Sequence, residues 1–323
     1  MRYRKLGRTG FDVSEVGHGL WGISGWSGSE DRQSMEALQK SVDLGCNFFD
    51  TAWAYGEGKS DTFLGKLMKQ NPGKRLYAAS KIPPMNRQWP ARPEYKYDEV
   101  FPREHVINYA QKIRNALQVD TIDVLQFHVW QDDWTKEQEF LDTVDELKSK
   151  KLIHAFGLSI NRWEPENGIQ ALRTGRVDAI QVIYNIFDQN PEDKLFPVCD
   201  ELNVGVIARV PFDEGSLIGN MTKDTKFPKE DWRAHYFGPA NLGPTIDRVE
   251  KLKKDVGPGI SLPELALRFI LSDRRVGTTI PGMRKPNHVA ENLSASDKGV
   301  LSPAMLEKLR AHRWERKPAS WSD

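Results

Sequence analysis

Residues 34–52, SMEALQKSVDLGCNFFDTA, contain the pattern that decides the fold of this chain. The first part has the apolar spacing of an amphipathic helix, and it ends at the pair Leu44-Gly45. A short apolar run follows directly, and such a run is typical of a buried strand. A helix that leads through a short break into a strand indicates a βαβ unit, from which parallel sheets are built.

The same alternation recurs along the whole chain. Helical spacing is clear, for example, in REHVINYAQKIRNALQ at 103–118 and in TIDRVEKLKKDV at 245–256. Eight such units in 323 residues favour a closed (β/α)₈ TIM barrel of the α/β class over an open sheet, and they predict a single domain over residues 1–323. The predicted strands are Val16–Leu20, Asn47–Ala52, Leu76–Lys81, Ile122–His128, Ala155–Ile160, Ala179–Tyr184, Gly205–Val210 and Val276–Ile280.

Segments outside this alternation have their own predictions. YRKLG and FDVSE alternate around Arg8-Thr9-Gly10, which predicts an N-terminal β-hairpin that caps the barrel floor. Two connections, residues 82–101 and 212–244, are too long for simple turns. Long loops in compact domains are usually functional, and after barrel strands they lie over the C-terminal face, where active sites form.

Composition excludes several classes of function. Lys+Arg 46 against Asp+Glu 45 gives a formal charge of +1, so neither nucleic acid nor a membrane is expected as a partner. The cysteines Cys46 and Cys199 form no CxxC or Cys/His cluster, so we expect buried reduced thiols and no metal site. No apolar signal core and no run near 18 apolar residues is present, so a cytoplasmic protein is expected.

Four polar residues lie at the ends of predicted strands or just beyond them: Asp50, Tyr55, Lys81 and His128. If the strands form one barrel, these side chains converge on one rim, and together they suggest carbonyl reduction. Tyr55 would be the general acid, because a nearby ammonium lowers the pKa of a phenol. Lys81 would supply that charge, Asp50 would keep Lys81 charged, and His128 would orient the carbonyl oxygen.

Longer stretches resemble the aldo-keto reductase superfamily. They are FFDTAWAYGEGKSDTFLG at 48–65, GLSIN at 157–161, AIQVIYN at 179–185 and TIPGMRKPNHVAENL at 279–293. The resemblance implies a TIM barrel that uses NADPH, without a Rossmann fold, to reduce an aldehyde or ketone. It also implies that Asp50, Tyr55, Lys81 and His128 form the catalytic tetrad.

The same resemblance implies the cofactor contacts. Ser159, Asn161 and Gln181 would lie at the nicotinamide, and Arg209 stands where many members carry a stacking aromatic ring. The remaining implied contacts are Gly19, Leu20 and Trp21 beneath the cofactor, Gly282, Arg284 and His288 around the ribose 2′-phosphate, and Glu291 and Asn292 at the adenine. A guanidinium such as that of Arg284 suits a phosphate dianion.

Tryptophans near the predicted rim suggest a pocket for small apolar or aromatic carbonyl compounds, and Trp21, Trp53, Trp89 and Trp130 are its predicted walls. Either a monomer or a homo-oligomer fits the sequence. Two rival functions stay open. One is a barrel lyase or isomerase that uses Lys81 as a Schiff-base amine. The other is an NADPH-binding, redox-sensing regulatory subunit, because the superfamily also resembles potassium-channel subunits.

Overall fold

The computed structural model describes residues 1–23, 30–320 and 322. Its strands are β1 (Tyr3–Lys5), β2 (Asp12–Ser14), β3 (His18–Gly19), β4 (Phe48–Asp50), β5 (Tyr77–Ile82), β6 (Ile122–Phe127), β7 (Ile153–Ser159), β8 (Ala179–Ile183), β9 (Gly205–Arg209) and β10 (Val276–Thr279). Its α-helices are α1 (Asp31–Asp43), α2 (Lys59–Gln70), α3 (Tyr97–Val100), α4 (Arg103–Leu117), α5 (Gln138–Ser149), α6 (Ile169–Arg173), α7 (Leu195–Glu201), α8 (Arg233–Tyr236), α9 (Leu242–Val256), α10 (Leu262–Ser272), α11 (Pro286–Asp297) and α12 (Pro303–Arg310). Short 3₁₀ helices cover Gly7–Thr9, Trp21–Ile23, Asp132–Lys136, Asn190–Glu192 and Asp213–Ile218.

Strands β3 to β10 pair in parallel, each with its neighbours in chain order. The two edges meet where Gly17 N donates to Thr279 O at 2.8 Å and Gly19 N donates to Pro281 O at 3.0 Å. These bonds close the sheet, and the prediction of a (β/α)₈ barrel is confirmed. Each predicted strand overlaps an observed one, with ends that differ by at most two residues, and the first predicted strand contains the shortest one.

Side chains that point into the barrel form layers, because successive residues of a strand face opposite sides. The lower layer is apolar and contains Phe48, Ala79, Val124, Ala155, Ala179 and Ile207. The residues two positions further along the same strands are mostly polar: Asp50, Lys81, Gln126, Gly157, Gln181 and Arg209. The polar layer therefore lies at the C-terminal ends of the strands.

The N-terminal hairpin lies against the opposite end of the barrel. Strands β1 and β2 pair antiparallel, and Leu6 between them packs into the same apolar cluster as the lower barrel layer. A Cβ placed on Gly205 would lie 2.7 Å from Leu6 Cγ, so the first residue of β9 must be small. The predicted turn at 8–10 is a 3₁₀ turn that ends at Gly10, whose φ of 75° favours glycine.

Gly17, Gly19 and Gly22 have the G-x-G-x-x-G spacing of open dinucleotide-binding sheets, yet the fold here is a barrel. They lie along the junction of the first and last barrel strands. A Cβ on Gly19 would be 2.7 Å from Ile280 O, so glycine there permits close approach of the backbones. The spacing alone therefore does not separate the two folds.

Cys46 and Cys199 are buried and free, as predicted, and burial raises the pKa of each thiol to about 12. Within the described part of the chain, none of the helices has the length and apolar character needed to cross a membrane.

Candidate active site

A buried ion pair lies at the centre of the polar layer. Lys81 Nζ donates to Asp50 Oδ1 at 2.6 Å and to Thr51 O at 2.8 Å, and both charged side chains are almost fully buried. Gln181 Nε2 donates to Asp50 Oδ2 at 2.7 Å. Each carboxylate oxygen is therefore satisfied, as a stable buried ion pair requires. Gln181, which the resemblance places at the nicotinamide, thus contacts Asp50 directly.

Tyr55 and His128 lie next to this ion pair. Lys81 Nζ is 5.2 Å from the centroid of the Tyr55 ring. The Tyr55 and His128 rings meet edge to face, with centroids 5.7 Å apart. Burial raises the pKa of Tyr55, and the Lys81 ammonium lowers it by less. The direction expected of Lys81 is present, but burial outweighs it, so the phenol keeps its proton at neutral pH.

His128 is a neutral imidazole. Burial, followed by the positive charges of Lys81 and Arg209, holds its pKa well below the usual value. Its Nδ1 has no hydrogen-bond partner among residues 1–23, 30–320 and 322. The Trp89 ring meets it edge to face at 5.9 Å. A neutral imidazole carries one N–H, which can donate to a carbonyl oxygen.

Arg209 lies at the end of β9, on the same side of the barrel. Its Nη2 donates to Ile160 O at 3.0 Å, whereas its Nε has no hydrogen-bond partner among the described residues. Burial and the nearby Arg162 guanidinium lower the pKa of Arg209 to about 10, so it remains charged at neutral pH. Arg162 is paired with Glu214 at 2.7 Å. Sequence reasoning did not single out Arg162 or Glu214.

The buried Asn161 side chain has an incomplete set of partners. Its Nδ2 donates to Ala91 O at 3.0 Å and to Glu164 Oε2 at 2.8 Å. Its buried Oδ1 accepts no hydrogen bond from any described residue. Ser159, also buried, lies in register with Gln181 on the neighbouring strand. An orphaned acceptor beside a serine fits a primary amide such as the carboxamide of a nicotinamide.

The loop after β3 faces the loop after β10. A Cβ on Gly22 would lie 2.9 Å from Arg284 Cδ, so Arg284 crosses directly over this glycine. A Cβ on Gly282 would meet nothing within 4 Å, so the backbone is open there. Leu20 is buried, and Trp21 is 38% exposed. The open backbone and the arginine fit a phosphorylated ligand.

Helix α11 begins directly after this loop. His288 and Glu291 are exposed on it, and Asn292 is buried. Glu291 and Asn292 come three and four positions after His288, so both lie on the same side of the helix as His288. They therefore lie within a turn or two of Arg284.

The tryptophans divide into two groups. Trp89 and Trp21 are exposed at the rim, and Trp21 meets Trp232 edge to face at 6.3 Å. Trp53 packs on Tyr109 of α4 at 5.6 Å and supports the loop that carries Tyr55. The prediction for Trp130 is wrong, because this side chain is fully buried and cannot line a pocket. It bonds to Asp132 Oδ1 at 3.0 Å and packs on Phe140.

A second buried acid lies behind the ion pair, and sequence reasoning missed it. Asp61 of α2 accepts a hydrogen bond from Ser80 Oγ at 2.6 Å, and Ser80 directly precedes Lys81. Its Oδ2 has no hydrogen-bond partner in the described part of the chain. Burial raises the pKa of Asp61 to about 7.

We expect Asp61→Asn to change how stability depends on pH. Since the folded pKa lies above that of the unfolded chain, roughly 3.9, the folded state binds more protons between about pH 4 and pH 7. Stability is therefore lost as pH rises through this window. The uncharged variant should gain on the order of 1–4 kcal/mol over the natural protein as pH rises from about 5 to about 8. Urea unfolding across this range measures it.

Asp123→Asn is the matched control, because Asp123 is buried but paired with Arg75 and bonded to Ala78 N. It should show no such gain. Parallel curves for Asp61→Asn and the natural protein would contradict the prediction.

Comparisons with known proteins match nearly the whole chain. The family model described as the Aldo/keto reductase family matches residues 15–313. Aldo-keto reductase YhdN of Bacillus subtilis (strain 168) is 28% identical over 306 residues. The match covers 90% of this chain and 87% of the YhdN chain. The NADH-specific methylglyoxal reductase of Escherichia coli (strain K12) is 28% identical over 313 residues, covering 91% and 93%. The structure of aldo-keto reductase AKR11C1 from Bacillus halodurans (holo form) covers 100% of both chains with a TM-score of 0.79 and 22% identity.

Proposed function

Because the chain belongs to the aldo/keto reductase family, we propose that it reduces a small aldehyde or ketone to an alcohol with NADPH. The observation that carries this proposal is the buried Lys81–Asp50 pair next to Tyr55, with His128 against the tyrosine ring. Family membership by itself supports a nicotinamide-dependent oxidoreductase. The assignment of NADPH and of the roles of individual residues is our proposal.

Each side chain has a defined part in the reaction. A bound NADPH supplies the hydride to the carbonyl carbon. The neutral His128 donates its N–H to the carbonyl oxygen and orients it. Tyr55 keeps its proton until negative charge develops on that oxygen, and then transfers the proton to it. The resulting phenolate is stabilised by the Lys81 ammonium, which Asp50 keeps charged.

The proposed cofactor contacts are polar groups near the C-terminal ends of the barrel strands. The orphaned Asn161 Oδ1 and the Ser159 hydroxyl would hold the carboxamide. Arg209 would stack on the nicotinamide ring, which a planar guanidinium can do. Arg284, together with α11, would bind the ribose 2′-phosphate. Trp21 and Trp89 would form the walls of the carbonyl pocket.

Arg284→Ala is expected to raise the KM for NADPH by about 10- to 100-fold, because charge-assisted bonds to a phosphate are lost. The KM for NADH should stay nearly constant, since NADH lacks that phosphate. Steady-state kinetics with both cofactors measure the change. An equal effect on both KM values would show that Arg284 does not read the phosphate. Arg274→Ala is the control, because this exposed arginine pairs with Asp200 near the opposite end of the barrel.

The proposal as a whole is tested by NADPH consumption with a panel of aromatic and short-chain aldehydes and ketones. Turnover of at least part of the panel is expected. A protein that binds NADPH tightly but reduces none of these compounds would favour the regulatory-subunit alternative. A protein that binds neither NADPH nor NADH would contradict the proposal.

A further inference from the structure

The segment that follows α12 crosses the loops at the C-terminal face of the barrel. Trp314 N donates to Phe187 O at 2.8 Å, in the loop after β8. Two residues further on, the Arg316 guanidinium contacts both Asp188 of that loop and Asp213 of the loop after β9, the latter at 2.7 Å. One arginine of this segment therefore joins two loops that extend from neighbouring barrel strands.

The arginine site is built from buried groups. Arg316, Asp188 and Asp213 are 7%, 5% and 0% exposed. The Arg316 guanidinium lies 4.8 Å from the ring centroids of both Trp163 and Trp314. A buried guanidinium with two carboxylates and two aromatic faces has little freedom to move. We call Arg316 and its four partners, Asp188, Asp213, Trp163 and Trp314, the Arg316 clasp.

The loop that the clasp holds has an unfavourable backbone. Val210, Asp213 and Glu214 have φ values of 57°, 44° and 56°, in the left-handed region that favours glycine. This conformation is unfavourable for any residue with a side chain, and most of all for a β-branched one such as Val210. Such a conformation persists only where its surroundings impose it.

Three contacts impose this conformation. Asn185 Nδ2 donates to Val210 O at 3.1 Å, Asp213 pairs with Arg316, and Glu214 pairs with Arg162 at 2.7 Å. Val210 directly follows Arg209, whose Nη2 donates to Ile160 O. Relaxation of residues 210–214 would therefore shift Arg209 and loosen the Arg162–Glu214 pair.

We propose that Arg316 is a positioning residue that, through Asp213, holds residues 210–214 in place and so controls how long NADPH stays bound. The inference rests on the proposed function in one respect, namely that NADPH binds against Arg209. The C-terminal segment thus acts on the cofactor from outside the site.

The test compares NADPH dissociation rates, measured by stopped-flow fluorescence, in variants of the full chain. Arg316→Met should release NADPH at least 10-fold faster, and Arg316→Lys, which keeps the charge, should recover part of the loss. Val210→Gly removes the strain at the most strained position, because glycine adopts a φ of 57° without penalty. In that background Arg316→Met should have a smaller effect. A purely additive result would overturn the mechanism.

Arg4→Met is the matched control, because Arg4 pairs with the buried Glu15 on the barrel floor. It should lose stability without faster NADPH release. Equal acceleration in Arg4→Met and Arg316→Met would reduce the role of Arg316 to general stability. Release at the natural rate in Arg316→Met would exclude the role.

Hydrogen–deuterium exchange of residues 210–214 without cofactor separates this inference from the proposed function. Arg316→Met should accelerate exchange of residues 210–214, whether or not NADPH binds. Unchanged exchange would contradict the proposal that Arg316 holds these residues in place. If the natural protein binds no NADPH, the proposed function fails. Accelerated exchange in that case would still support the role of Arg316 in holding residues 210–214. It would contradict the proposed effect of Arg316 on NADPH release.

Discussion

Tyr55→Phe is expected to lower kcat by about 10²- to 10⁴-fold, the usual contribution of a general acid. NADPH affinity should stay within about twofold, because only one hydroxyl is removed and the ring still packs edge to face on His128. The loss arises because the proton that Tyr55 would give to the carbonyl oxygen is no longer present. His128 is neutral but has its pKa far below the usual value, and its N–H is a hydrogen-bond donor rather than an acid. Single-turnover kinetics with saturating NADPH isolate the chemical step.

Tyr97→Phe is the control for this prediction. Tyr97 is buried among Phe127, Trp134 and Phe140, and its hydroxyl has no hydrogen-bond partner among the described residues. This variant should keep full activity. Retained turnover in Tyr55→Phe would remove Tyr55 from the role of acid, and Lys81 would then need a new assignment.

The sequence predicted the barrel because its evidence is local. An amphipathic helix and a buried strand each show in a window of ten to fifteen residues, and repetition of the pair determines the topology. The convergence of Asp50, Lys81 and the apolar layer below them follows from the same rule. Residues 48 and 50 of β4, like 79 and 81 of β5, share one side of their strand.

The sequence did not predict the surroundings of Arg316, Asp61 and Trp130. Arg316 and Asp213 are 103 residues apart, and a basic residue in a polar C-terminal segment has the same local pattern whether solvated or buried. Asp61 lies in the first turn of α2, where an acid is ordinarily a favourable exposed residue. Trp130 follows His128 by two residues, but the chain turns after β6 and places its ring in the core. The burial and the partners of these side chains depend on tertiary packing, which cannot be predicted from local periodicity.

Lys81→Met is expected to lower the free energy of unfolding by about 3–5 kcal/mol, in addition to abolishing turnover. Among the described residues, the Lys81 ammonium is the cation paired with Asp50, and its removal leaves a buried carboxylate bonded to Gln181. A buried carboxylate without a cationic partner favours its protonated form over the ionised one. The stability of this variant should therefore fall further as pH rises from about 4. Urea unfolding at several pH values measures both effects.

Two further variants decide whether the unpaired charge is the cause. Adding Asp50→Asn to Lys81→Met removes that charge. The double variant should regain a large part of the lost stability and lose the added pH dependence, but it should regain no activity. Lys148→Met is the surface control, because Lys148 pairs with Asp178 at 2.6 Å but is 31% exposed, and Arg8 also pairs with Asp178. It should cost less than about 1 kcal/mol. If the double variant were no more stable than Lys81→Met, the loss would come from packing around the lysine stem. The pair would then matter to the reaction but not to the stability of the barrel.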